Sequence, residues 1–230
     1  MSVSVAGRSI TIPRPTPITV ATWLTVLVFQ TVLVVTYAAA SNAQIGLFHV
    51  YPFVWINLSL WVFWQTDIPT ADRRQHALAG SIAIGYFAIL GFFGGLYGWL
   101  PLFDHPEHHL QYFEQMQGFD LAVTLPPGYG PALFYVSPTL ALSITPYALI
   151  GYLTLAYLVY VTVLDAANAA APGILGLFAC ISCTWPIIAS AFVGAGTSTT
   201  LVAGIYAQAY ELSTIAFVLT VLLLYWRPLE

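Results

Sequence analysis

Lysine is missing from this 230-residue chain, and five arginines face nine acidic residues for a net charge of −4. So little cationic surface argues against nucleic acid or an anionic lipid surface as the main partner. Charge of either sign is scarce: charged residues make up 6% of the chain, where a soluble domain carries about 25%. Hydrophobic residues supply 59% and the mean hydropathy is +0.83. Water is therefore not the main solvent, and the chain reads as a multi-pass protein of the cell membrane. Two cysteines cannot build a disulfide framework. Two methionines, Met1 and Met116, are too few for a methionine-lined copper importer. The missing lysine excludes a retinal Schiff base, and there is no HExxH, Walker loop or GxSxG elbow. The N-terminus lacks the basic patch, short apolar core and small-residue site of a cleavable leader in their expected order.

What is present is long apolar runs. After a polar, proline-rich stretch over 1–17, spans are expected at about 18–40, 45–65, 77–100, 146–164, 173–196 and 201–226. The expectation is a single all-α membrane domain over 1–230, a six-helix bundle with both termini cytoplasmic. On that count Arg8, Arg14, Arg73, Arg74 and Arg227 all fall on the inner side, as the positive-inside rule requires. A seventh span at 131–143 would put Arg227 outside; that apolar stretch, bracketed by Pro131, Pro138 and Pro146, is read as re-entrant or interfacial. Residues 101–130 form the outer loop, with a short amphipathic helix expected near His109–Gly118. Gly91/Gly95 and Gly94/Gly98 have the spacing that lets a second helix approach closely. No internal repeat is visible, so nothing points to an inverted-repeat transporter.

Two constellations could carry chemistry. The first lies in Gly173–Gly196, which holds both cysteines, Cys180 and Cys183, with Thr184 on nearly the same face and Pro186 just beyond. At 1.5 Å per residue, Cys183 is expected at the depth of Glu211 on the next helix, with Gln208 one turn before it. A carboxylate there costs roughly 3 kcal/mol or more if left exposed, so Glu211 is expected to face the bundle. Gln30 and Asn57 also fall near mid-depth. Such polar residues commonly serve only as hydrogen-bonding glue between helices, and buried cysteine is often a plain packing residue. The functional readings are a redox dithiol or a soft-metal site for Cu(I). The second constellation is DHPEHH in the outer loop: His105, His108 and His109, with His49 near the outer end of span two. Imidazoles at that density can hold Cu(II) or Zn(II), although the spacing matches no zinc motif and wet histidines are more often solvated. His49 and His76 fall near opposite interfaces, which argues against a bis-His haem.

The motifs YPFVWIN (51–57), LPPGYGP (125–131) and GLFACISCTWP (176–186) resemble a family of uncharacterised six-span membrane proteins of halophilic archaea. The resemblance covers most of the chain after residue 45. It implies the company of terminal oxidases and blue-copper electron carriers, and it supplies no catalytic residues. Three expectations follow. One is an accessory protein handling copper for a respiratory oxidase, with Cu(I) on Cys180 and Cys183, Glu211 behind them and the histidines as an exit side. Another is a quinone-linked thiol–disulfide oxidoreductase, similar in logic to the vitamin K epoxide reductase and DsbB groups but lacking their second cysteine pair. The last is a structural or assembly subunit that docks other membrane subunits and does no chemistry.

Overall fold

Proline, glycine and short polar caps set where the helices begin and stop. A computed structural model describes residues 2–5, 8–11, 16–99, 118–137, 139–168 and 209–226. The chain falls into two units, Met1–Ile45 and Gly46–Glu230.

In the first unit an antiparallel hairpin, β1 (Ser2–Val5) and β2 (Arg8–Thr11), precedes helix α1 (Pro17–Ser41). Thr16 caps α1 by accepting the Thr19 amide at 3.2 Å, Pro17 occupies the first helical position, and Asn42 closes the helix in the left-handed region at φ 53°. The hydroxyls of Thr22, Thr25 and Thr31 donate to carbonyls one turn back. Those polar groups are thus satisfied inside the helix, while Leu24, Leu27, Val28, Phe29 and Val32 are exposed. A helix that is apolar around its circumference suits lipid.

Among the described residues the second unit has four α-helices: α2 (Tyr51–Gln65), α3 (Arg73–Phe93), α4 (Pro146–Asn168) and α5 (Ala209–Trp226). Trp55 meets Tyr152 and Phe217, Tyr157 reaches Thr66, and Trp61 meets Tyr225, so α2, α4 and α5 run in one direction. Gly94 meets Tyr152 and His76 meets Tyr160, so α3 runs the other way. The α3 start is fixed by the Asp72 amide donating to Gln75 Oε1 at 2.8 Å. Between the helices lies a core of Trp55, Val62, Leu90, Leu155, Leu158, Phe217, Val221 and Leu224. Among the described residues four stretches, Pro17–Ser41, Leu47–Gln65, Arg73–Phe93 and Pro146–Asp165, are long and apolar enough to cross a membrane.

The all-α expectation needs correction, because a four-stranded antiparallel sheet sits beside the bundle. Its order is β3 (Tyr97–Trp99), β6 (Leu140–Ile144), β5 (Ala132–Val136), β4 (Gly118–Ala122). Residues 131–143, expected as a re-entrant or interfacial segment, are largely the hairpin β5–β6. The run turns at Ser137, whose amide donates to the Leu140 carbonyl at 2.9 Å and whose Oγ accepts the Leu140 amide at 3.0 Å. A run of this length is too short to cross as a helix, and neighbouring strands satisfy its backbone groups instead. The expected third span of 77–100 is also corrected: α3 ends at Phe93, and after Gly94 and Gly95 (φ 78°) the chain is extended as β3. Glycine at that left-handed position avoids the Cβ clash another residue would meet.

Candidate functional site

The described chemistry-bearing side chains gather at the two ends of the helix core. At the end away from Arg73, α2 is preceded by a single 3-10 turn, Leu47–His49. Into the space above this short helix comes the LPPGYGP loop that joins β4 to β5. Gly128 has φ 90°, and a Cβ there would lie 2.5 Å from Pro52 Cβ, so only glycine lets the loop come this close. Tyr129 is buried: its ring stacks on Phe48 at 4.3 Å and 10°, and its hydroxyl donates to the Phe48 carbonyl at 3.1 Å. The ring also stands edge-on to Tyr147 at 4.9 Å. Tyr147 in turn stands edge-on to Trp55 at 5.6 Å. The Trp55 indole lies flat on Phe217 at 4.1 Å and 5°, and its Nε1 donates to Thr214 Oγ1 at 3.1 Å. An aromatic ladder therefore runs from the loop into the middle of the bundle. Offset and edge-on pairs of this kind contribute about 0.5–1.5 kcal/mol each beyond their buried area.

His49 is buried at the head of α2. Its Nδ1 accepts the Gly46 amide at 3.3 Å, which places the proton of a neutral ring on Nε2 and commits Nδ1 to the backbone. Glu211 is exposed in the first turn of α5, with its carboxyl group near the Tyr51 side chain at the start of α2. Among the described residues the buried positions of this helix are Thr214, Phe217, Thr220, Val221 and Leu224, and the span 173–196 expected beside Glu211 lies outside the described residues. The level of Glu211 is that of the α2 start rather than mid-helix.

At the opposite end, His76 Nδ1 and the Tyr160 hydroxyl pair at 2.6 Å between α3 and α4, and the Tyr157 hydroxyl donates to the Thr66 carbonyl at 2.9 Å. A cleft of about 360 Å³ opens here, lined by Gln65, Thr66, Asp67, Asp165, Leu224 and Tyr225 among others.

Of the glycines expected to pack helix against helix, Gly94 receives a side chain of α4 and Gly91 one of β3. A Cβ on Gly91 would meet the Tyr97 ring at 2.9 Å, and one on Gly94 would meet Tyr152 Cζ at 2.5 Å. Gly95 turns the chain, and Gly98 lies in β3 opposite Ala141. Cys180, Cys183, Thr184, Gln208, His105, His108 and His109 lie outside the described residues, as do the span 173–196 and the helix expected near 109–118. Among the described residues no three His, Cys, Asp or Glu side chains come together as a metal site. The sequence reading missed Trp55, Thr214, Tyr129 and Tyr147. Its available signal was the aromatic, glycine-rich character of YPFVWIN and LPPGYGP, which the structure brings into contact.

A family model described as a family of unknown function (DUF7546) matches residues 2–230. No curated protein and no solved structure matches the chain.

Proposed function

Because the chain belongs to DUF7546, a family of unknown function, membership brings no activity with it, and we propose that this is a six-span accessory protein of the cell membrane that handles copper for a respiratory oxidase. Cys180 and Cys183 hold Cu(I) as a pair of thiolates, the soft ligands that ion favours. The observation that carries the reading is their placement in the sequence: both cysteines of the chain stand three positions apart in a single apolar run, Gly173–Gly196. Support for six crossings comes from direction. The parallel helices α4 and α5 leave the end of one and the start of the other at opposite ends of the bundle, and Gly173–Gly196 lies in the connection between them. Arg73 and Arg74 begin α3 at the end where α4 and α5 finish, which agrees with a cytoplasmic C-terminus. His49, with His105, His108 and His109, forms the exit side, and Glu211 acts from the Tyr51 level. The test is Cu(I) loading of the purified protein under reductant. One tightly held copper per chain, lost in Cys180→Ser, is expected; copper no higher than in a blank preparation removes the proposal.

A second reading, a structural or assembly subunit, is favoured by the use made of polar side chains in the core. The contacts Trp55–Thr214, Tyr157–Thr66, Tyr152–Gly94 and His76–Tyr160 each tie one helix to another. On that reading, alanine at both cysteines leaves respiration and oxidase assembly unchanged.

A further inference from the structure

The LPPGYGP loop is built as a stopper. Its two ends are anchored in the sheet, where Ala122 pairs with Ala132, and inside it the Tyr129 and Gly130 amides both bond the Pro126 carbonyl at 3.0 and 3.1 Å. The loop therefore holds its own shape. Its seat on the helices is made differently, and includes the Tyr129 ring on Phe48 and Tyr147, the Tyr129 hydroxyl to the Phe48 carbonyl, and Gly128 against Pro52. Beneath that ring lie Tyr147, Trp55 and Thr214, with Trp55 5% and Thr214 8% exposed. A preformed loop with one large ring in the bundle can withdraw as a unit, because its internal hydrogen bonds survive the movement.

We propose that residues 125–131 form a plug over the end of the helix core away from Arg73, with Tyr129 as the stopper, and that its withdrawal is the step that admits water and solutes to the Trp55–Thr214 level. The plug couples two parts of the second unit. A partner or condition that shifts the sheet pulls Tyr129, and one that seats Tyr129 fixes the sheet. The inference is independent of any copper at Cys180 and Cys183.

The test uses Thr214→Cys as a reporter in the full chain carrying Cys180→Ser and Cys183→Ser, reconstituted in vesicles and exposed to a membrane-impermeant maleimide. With the native loop, labelling is slow. Tyr129→Ala raises the rate about tenfold or more, since local opening then lacks its main contact. Phe48→Leu, a milder change that leaves the loop itself intact, raises it by a smaller factor. Rapid labelling with the native loop overturns the proposal whatever the variants do. So does a rate that stays the same in Tyr129→Ala and Phe48→Leu while both keep their helical circular dichroism.

Discussion

Gly151 is the residue on which the centre of the bundle can be tested most sharply. It is buried on α4, and a Cβ built there would overlap the Cε3–Cζ3 edge of the Trp55 ring, 2.7 Å from Cζ3, and lie 3.4 Å from the Phe217 ring. Trp55 cannot retreat without cost, because it is stacked on Phe217 at 4.1 Å and tied to Thr214 at 3.1 Å. In Gly151→Ala, overpacking costs about 1–3 kcal/mol. Displacing the indole loses a hydrogen bond of about 1 kcal/mol and a stacking contribution of about 1 kcal/mol. Against this, alanine gains about 1 kcal/mol of helix propensity over glycine. The expected net loss is about 2–4 kcal/mol, or a fall in Tm of roughly 5–15 °C for a chain of this size. The assay is thermal unfolding in detergent followed by circular dichroism. Trp55→Phe in the Gly151→Ala background should recover part of the loss, so that the two changes cost together at least about 1 kcal/mol less than their sum. A Gly151→Ala protein with an unchanged or higher Tm would show propensity acting alone, and would refute the packing argument.

Gly94→Ala should cost about 2 kcal/mol, because its Cβ meets both the Tyr152 ring and the Leu90 carbonyl, the latter at 2.7 Å. Tyr152→Phe should recover little of that loss in the same thermal assay, since the carbonyl contact remains. Tyr160→Phe removes the 2.6 Å bond to His76 and should cost about 1 kcal/mol; Tyr160→Phe combined with His76→Ala should cost no more than the larger single change. A doubled cost would place the two residues in separate interactions.

The sequence showed much of the helical frame and little of the site. Apolar length alone marks the stretches that contain α1 to α4, because leaving water is a demand each segment makes by itself. Proline and threonine likewise show where α1 begins, since capping is settled within one turn. Glycine spacing was less informative: Gly91 to Gly98 has the rhythm of a helix interface, yet Gly95 turns the chain and Gly94 receives a tyrosine from α4. Glu211 shows the same gap. Its depth along an apolar stretch can be counted, but which way it points depends on the neighbours of α5.

Hydropathy and the scarcity of charge thus marked by themselves a chain whose helices are long and apolar enough to cross a membrane. Tertiary structure alone decided that residues 132–136 and 140–144 are paired strands, that Tyr129 enters the helix core, and that Trp55 bonds Thr214 159 positions away. The reason is physical. Leaving water is a property of a segment and is written in its composition, whereas the partner that completes a backbone ladder or fills the space over a ring is set by distant residues whose order along the chain does not reveal their contact.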